Sequence, residues 1–214
     1  MRAKEFIELE KRLLRSLPAG LAIKERMCFI SPVRGTLRGF YFDPSRFDRK
    51  AFYVYMFFLP LCAPLTDIHL TFGHRIGGSW KVDEPGCEEE LTRRMQDEMA
   101  FLRDLETPRD VARALEPFAS LGNPHCREAF AYSLIQAGDG KAAARALSSL
   151  LAGIDTTAPW QPEIASRVSG MQGKLSRRIQ EAQEQLSQWE SESIQNLGLA
   201  EFHQASILSG RTNY

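Results

Sequence analysis

The sequence predicts an α+β protein in which an N-terminal helix and an antiparallel β-meander of about five strands precede a C-terminal helical bundle ending in a long helix. Thirteen of the 21 aromatic residues lie in the first 82 positions, within runs that alternate as strands do. After Asp83 the apolar residues instead recur every three or four positions, as in helices. We therefore expect a basic, aromatic-rich α-β domain over residues 1–85 and an acidic helical domain over residues 86–214.

An amphipathic helix is predicted from Lys4 to Leu17, because its apolar residues fall on one face and its Lys and Glu residues on the other. Pro18 and Gly20 are expected to end it. The apolar positions are Phe6, Leu9, Leu13, Leu14 and Leu17.

Strand-like runs follow at residues 21–29, 37–43, 51–59 and 66–76. The run at 51–59 is apolar on both faces, which predicts a central strand covered on both sides. Residues 66–76 alternate between apolar and polar side chains, which predicts a strand with one solvated face. Gly77-Gly78 fits a two-residue hairpin turn, so residues 79–82 are expected to return as the fifth strand.

Local signals define the helices of the second half. The stripe of Leu and Met over residues 88–105 predicts the first of them. Thr107, followed by Pro108 and an acidic residue, predicts the start of the second. Asn123-Pro124 opens a third, which ends at Gly138, and a fourth covers residues 141–152.

A long polar helix is predicted over residues 164–197. Gly170 and Gly173 are expected to break its first turns. Its apolar residues form a narrow seam with alternating spacings of four and three, typical of coiled-coil packing. The seam residues are Leu175, Ile179, Ala182, Leu186 and Trp189. The seam either packs within the chain or joins two chains, so a homodimer through this last helix stays open.

Residues 124–152 resemble a tetratricopeptide-like helical hairpin. The resemblance rests on small residues and a turn, namely Ala129, Phe130, Gly138, Asp139, Ala143, Ala146 and Leu147. It covers one repeat of about 30 residues, and the rest of the chain has no such pattern. The resemblance implies a helical surface that binds protein.

Charge is unevenly distributed although the whole chain is neutral. Residues 1–82 hold 14 Lys and Arg against 7 Asp and Glu, and residues 83–214 hold 13 against 20. This asymmetry predicts either a partner chosen by charge or attraction between the two halves. The best candidate for a partner-binding patch is a polar face of the predicted sheet, formed by Arg38, His69, Thr71 and Arg75.

The sequence holds no motif that predicts catalysis, since glycine-rich phosphate loops, the GxSxG elbow and the zinc motif HExxH are all absent from it. We therefore expect no enzyme, no cofactor and no metal site. Cys126 is the strongest candidate nucleophile, but the neighbouring His125 points away from it on a helix and is badly placed as a base. An enzyme would instead need a site assembled from distant residues, such as Arg38, His69, His74 and Cys126.

Several features predict a cytoplasmic protein that does not enter a membrane. The four cysteines have no CxxC spacing, which favours reduced thiols. The chain begins with charged residues rather than with the apolar core of a signal peptide. The most apolar stretch, residues 51–65, is too short to cross a bilayer and contains Pro60 and Pro64.

Together these features predict a non-enzymatic protein-binding module, such as an inhibitor, an immunity-type protein or an adaptor in a cytoplasmic complex. Its expected partner is another protein, which could be acidic and would bind the basic sheet domain. The alternative is a nucleic-acid-associated protein, because a basic sheet with exposed aromatic residues can stack and hold single strands. Most of the aromatic residues nevertheless alternate as core residues do.

Overall fold

The computed structural model describes residues 3–16, 19–155 and 157–204, except for the side chains of residues 3–7, 10 and 14. It confirms the α+β class: a helix and an antiparallel sheet come first, and helices make up the rest. Helix α1 spans Ala3–Ser16, and its residues Leu9 and Leu13 are buried as predicted. The predicted positions Phe6, Leu14, Leu17 and Pro18 lie outside the described residues and side chains.

Within the part of the chain that the structure describes, six strands form the sheet: β1 (Leu21–Lys24), β2 (Met27–Ile30), β3 (Thr36–Pro44), β4 (Ala51–Pro60), β5 (Gly73–Arg75) and β6 (Trp80–Lys81). The strand order is β1-β2-β3-β4-β5, and β6 also pairs with β4. The predicted central strand is confirmed, since β4 lies between β3 and β5.

The α-helices that the described residues form after the sheet are α2 (Cys87–Asp104), α3 (Pro108–Ser120), α4 (Pro124–Gln136), α5 (Gly140–Ala152), α6 (Gln161–Arg177) and α7 (Ile179–Asn196). The predicted caps of α3 and α4 are confirmed. Thr107 and Asp110 form a reciprocal capping box, and Asn123 accepts a hydrogen bond from the backbone of His125. These caps satisfy amide groups that a helix leaves unpaired at its N-terminus.

The single long helix predicted for residues 164–197 is wrong, because the helix breaks at Arg178. This residue has extended backbone angles, φ −156° and ψ 137°, and it separates α6 from α7. The expected break at Gly170 and Gly173 is also wrong, since both lie inside α6. The coiled-coil seam begins on α6 and continues on α7, and its residues pack into the core of their own chain.

The chain divides into two compact units. The sheet unit contains the chain up to Leu59 together with His69–Asp104 and Phe202–Gln204. The helical unit contains Pro60–Ile68 and Leu105–Glu201. Helix α2, placed by the sequence analysis with the helical half, therefore belongs to the sheet unit, where its buried residues Leu91, Met95, Met99 and Leu102 join the core of the sheet.

The strand predicted over residues 66–76 is wrong except at β5, because residues 66–72 are irregular. The segment Pro60–Ile68, which overlaps the start of this region, belongs to the helical unit. Side chains of α7 form hydrogen bonds with its backbone at Leu65. Leu65 N donates to Ser193 Oγ at 3.1 Å, and Asn196 Nδ2 donates to Leu65 O at 3.0 Å. These bonds replace the neighbouring strand that a sheet would supply.

The hairpin predicted at Gly77-Gly78 is also wrong. Strands β5 and β6 both pair with β4 in the same antiparallel direction, so the chain continues along β4 instead of turning back. The residues between them form a bulge, in which Gly77 has φ +65° and the Trp80 indole donates to Ile76 O at 2.9 Å. A bulge and a hairpin both use glycine at positive φ, which is why the sequence does not separate them.

A two-residue hairpin occurs where the sequence analysis placed one continuous run. Strands β1 and β2 pair from Leu21↔Ile30 to Lys24↔Met27, and Glu25 turns with φ 53°. The usual Asn-Gly or Asp-Gly signal is missing here, so the turn could not be identified from the sequence.

Candidate functional site

The four residues of the predicted partner-binding patch do not form one patch. Arg38 lies on the sheet face covered by α2, where its guanidinium donates to Arg103 O at 3.4 Å. Arg75 lies on the other face, because it pairs with Tyr55 while the alternate pair Met56↔His74 faces α2. His69 and Thr71 lie in the irregular segment before β5.

The sheet unit has a polar cleft between β5 and α2, here called the sheet-unit cleft, of about 460 Å³. Its lining residues are His74, Arg75, Ile76, Gly77, Arg93, Arg94, Asp97 and Glu98. His74 Nε2 lies 2.8 Å from Glu98 Oε1, and Arg75 stacks over the Tyr53 ring at 5.0 Å. The cleft therefore combines cationic and anionic groups that already interact with each other.

Glu90 binds both arginines that α2 contributes to the sheet-unit cleft. It accepts two hydrogen bonds from Arg93, at 2.8 and 2.9 Å, and one from Arg94 at 2.7 Å. The hydrogen bonds from Arg93, and then those from Arg94, lower the pKa of Glu90 to about 2. These arginines are therefore neutralised within their own helix.

The helical unit has a larger groove, here called the helical groove, of about 640 Å³. Helix α4 forms its floor, since α3 and α5 both pack against α4. Its lining residues are Arg109, Ala112, Arg113, Glu116, Phe130, Leu134, Ala137, Asp139, Ala142, Arg145 and Ala146. Phe130 and Leu134 are half-buried there, so apolar surface stays accessible in a concave site.

The arginines of the helical groove differ from those of the sheet-unit cleft. Arg109 and Arg145 form no ion pair with any residue that the structure describes, and both are exposed. Arg113 has a distant pair, 3.8 Å from Asp110, with 73% of its side chain exposed. Exposed pairs of this kind contribute little, so all three guanidinium groups can bind another anion.

Comparisons of the chain with protein-family models, with curated proteins and with solved structures find no match. Function is therefore inferred from the geometry of each unit. Within the described part of the chain, every helix is too short or too polar to span a bilayer. Over residues 3–16, 19–155 and 157–204, no three His, Cys, Asp or Glu side chains come together as a metal site would need.

Cys126 has the environment of a core thiol. It is only 3% exposed, and burial raises its pKa, which disfavours the thiolate that a nucleophile needs. The neighbouring His125 stacks on Trp160 instead, with ring centroids 5.2 Å apart. The other members of the assembled-site hypothesis, Arg38, His69 and His74, belong to the sheet unit, whereas Cys126 belongs to the helical unit.

A buried ion pair lies in the core of the helical unit. Arg167 donates twice to Glu128, at 3.0 and 3.1 Å, and the Tyr132 hydroxyl donates to the same carboxylate at 2.9 Å. The Glu128 side chain is 3% exposed and the Arg167 side chain 22%. Since both partners and the hydroxyl are satisfied, this group has a structural role in holding α4 and α6 together.

No sequence pattern predicts the helical groove, although several of its residues belong to the predicted helical hairpin. Phe130, Asp139 and Ala146 carry the resemblance to a helical hairpin. That resemblance predicts how the two helices pack, whereas the same residues also line an accessible groove. A usable signal was present in α3, where Arg109 and Arg113 are four residues apart and therefore share a face. The packing of α3 against α4 is a feature of the tertiary structure and is not specified by a local sequence pattern.

Proposed function

We propose that the protein is a non-enzymatic protein-binding module, acting as an inhibitor, an immunity-type protein or an adaptor in a cytoplasmic complex, and that it holds its partner in the helical groove. One observation supports this most directly. Phe130 and Leu134 present half-buried apolar side chains on the floor of a groove bounded by three helices. A concave apolar site with a few polar groups around it is the usual form of a binding site.

The shape of the groove favours a segment of protein as its occupant. Phe130 and Leu134 are four residues apart on α4, and Ala137 caps the C-terminus of that helix, so the apolar floor is elongated. Such floors accept the apolar face of an amphipathic segment. The resemblance of residues 124–152 to a tetratricopeptide-like hairpin supports the same function, because it implies a protein-binding helical surface.

Affinity capture with matched leucine variants tests the proposal. Leu134→Ala removes part of the groove floor, and Leu121→Ala makes the same change at a residue that is 82% exposed and outside the groove. The full-length wild type and both variants are used as tagged bait in extract from the native host. Bound proteins are quantified by mass spectrometry, and thermal unfolding of each variant is recorded alongside.

We expect a near-stoichiometric protein that survives nuclease treatment and is retained by Leu121→Ala. Leu134→Ala should weaken its binding about thirtyfold, because truncating an anchoring contact at the centre of an interface costs on the order of 2 kcal/mol. Equal capture by both variants would show that the groove is not the binding surface. Capture of no protein by the wild type would contradict the protein-binding function itself.

A second candidate function is association with nucleic acid through the face of the sheet away from α2. Tyr41, Tyr53 and Tyr55 are half-buried on that face, and Arg75 lies over the Tyr53 ring. Half-exposed aromatic rings beside a guanidinium can stack bases. Nucleic acid in the same eluates, lost at high salt and unaffected by Leu134→Ala, would favour this candidate.

This candidate ranks second for two reasons. Several phenylalanines of the sheet, including Phe29, Phe40, Phe52 and Phe57, are buried in the core. The sheet unit is also less basic than residues 1–82, because α2 and the residues before it bring acidic side chains. Residues 1–59, 69–104 and 202–204 together hold 17 Lys and Arg against 14 Asp and Glu.

A further inference from the structure

We infer that the segment held in the helical groove is an acidic amphipathic stretch of another protein, with apolar side chains on the groove floor and carboxylates at the arginines. The inference rests on the proposed function and adds the chemistry of the partner. It moves the expected acidic partner from the sheet unit to the helical unit. The charges of the groove, its floor and its size each contribute to it.

The cations of the groove come from both of its walls. Arg109 and Arg113 are four residues apart on α3 and therefore share a face, and Arg145 stands on α5. The apolar floor of α4 lies between these two helices. A bound segment would therefore have guanidinium groups along both of its sides and apolar surface beneath it.

The two acidic residues of the groove do not cancel these cations. Asp139 is the N-cap of α5, and its Oδ1 accepts from Ala142 N at 3.0 Å. This carboxylate therefore already stabilises the first turn of its helix. Glu116 is the second, so three guanidinium groups face two carboxylates, one of which is engaged. Asp110 is a third nearby carboxylate, 3.8 Å from Arg113, and it is engaged in the capping box of α3. An incoming carboxylate therefore meets Arg109 and Arg145, which have no ion pair with a described residue.

The floor leaves room for apolar side chains of the partner. Ala137, Ala142 and Ala146 are small, and the larger side chains on the floor are Phe130 and Leu134. The volume of about 640 Å³ lies within the roughly 300–1,000 Å³ typical of ligand sites. Leucine or phenylalanine side chains of a partner can therefore reach the floor while its carboxylates reach the arginines.

The same features make nucleic acid a poorer occupant. Stacking needs several exposed aromatic faces, and Phe130 is the one aromatic residue that lines this groove in the described structure. Phosphates would also lie beside the carboxylates of Glu116 and Asp139. An acidic peptide meets the same two carboxylates but gains the apolar floor, which phosphates cannot use.

Selection from a phage-displayed library of random linear peptides on the full-length protein tests the inference. Enriched peptides are sequenced, and the most enriched one is synthesised with a fluorescent label. Its binding is then measured by fluorescence anisotropy at low and high salt. The variants are Leu134→Ala, the double variant Arg109→Gln/Arg145→Gln and the control Lys141→Gln, which removes a charge from the same helix as Arg145 but outside the groove.

We expect the enriched peptides to carry an excess of Asp and Glu around apolar residues. Removing each arginine should weaken binding about twofold to fivefold, as for exposed charge pairs, and Lys141→Gln should leave it unchanged. High salt should weaken wild-type binding and should have less effect on the double variant, because exposed charges are screened.

The remaining outcomes separate this inference from the proposed function. Enriched peptides that need Leu134 but show no acidic excess and no response to the double variant would overturn the inference alone. Failure to enrich any peptide, or enrichment of peptides that bind Leu134→Ala as well as wild type, would overturn both. Binding of acidic peptides that falls equally with Lys141→Gln would show nonspecific attraction and would also overturn the inference.

Discussion

The sheet-unit cleft and the helical groove each contain three arginines, yet the two sites differ in what those arginines are free to do. In the cleft, Arg93 and Arg94 bind Glu90, while Arg75 lies over the Tyr53 ring and has no ion pair with a described residue. In the groove, Arg109 and Arg145 form no ion pair with any described residue. The number of charges in a region is therefore a poor guide to binding, because an arginine that already pairs with a carboxylate attracts another anion less than an arginine without an ion pair.

Local spacing explains much of this difference. Glu90 precedes Arg93 and Arg94 by three and four residues, so one carboxylate serves both on the same helical face. Arg145 has Lys141 and Ser149 four residues away, and neither can neutralise it. Helix α5 therefore leaves its arginine available, and helix α2 does not.

The largest effect is expected from an arginine that is half-buried and paired with a buried carboxylate. Arg167→Met should destabilise the protein by about 3–5 kcal/mol, because it leaves the buried carboxylate of Glu128 without its cation. Arg145→Gln in the groove should change stability by less than about 0.5 kcal/mol. Urea unfolding of the full-length variants measures both values.

A second substitution separates the charge from the packing of Arg167. The double variant Glu128→Gln/Arg167→Met removes both charges and keeps an acceptor for the Tyr132 hydroxyl, so it should regain most of the lost stability. If Arg167→Met alone proved as mild as Arg145→Gln, pairing would not distinguish structural from binding arginines in this protein.

An intermediate effect is expected at Gly77 in the sheet-unit cleft. Gly77→Ala should cost about 1–2 kcal/mol, because φ there is +65° and a β-carbon would meet Trp80 Cζ2 at 2.9 Å. It would also displace Trp80 from Arg94, which lies over its ring at 5.8 Å. Gly78→Ala is the matched control, since a β-carbon there meets no atom within 4 Å. Equal free energies of unfolding for Gly77→Ala and Gly78→Ala in denaturant would contradict the bulge conformation at Gly77.

The smallest effect concerns the acid sensitivity of Glu90. Its pKa is lowered from 4.5 to about 2 in the folded protein, so its contribution to stability is present above about pH 4.5 and is lost as the pH falls through about 2. Thermal unfolding from neutral pH to about pH 2 should show Glu90→Gln below wild type at neutral pH and level with it in acid. A difference that stays constant with pH would argue against the pairing in the cleft.

How far the sequence predicts this fold depends on how local each signal is. The capping box at Thr107 and Asp110 lies within four residues, so α3 begins where it was predicted. The break at Arg178 has no proline or glycine to mark it, and the predicted helix ran through it. Residues 66–72 alternate in polarity as a strand does, yet they are irregular. The backbone of Leu65, directly before them, forms hydrogen bonds with Ser193 and Asn196, more than a hundred positions away in the sequence.

The same limit applies to the candidate sites. The predicted patch required residues 66–76 to form one strand with a polar face. Residues 66–72 are irregular instead, so that face does not form. The groove needs α3 and α5 on either side of α4, and no local pattern specifies that arrangement.

By itself the sequence determined the α+β class, the central strand β4, and the helix starts at Thr107 and Asn123. These follow from periodicity and capping, which act over a few residues. Only the tertiary structure decided that α2 joins the sheet, that Pro60–Ile68 belongs to the helical unit, and that α3 and α5 both pack against α4. The reason is physical: a backbone or charged group takes whichever partner folding brings within hydrogen-bond distance, and that partner can be remote in sequence.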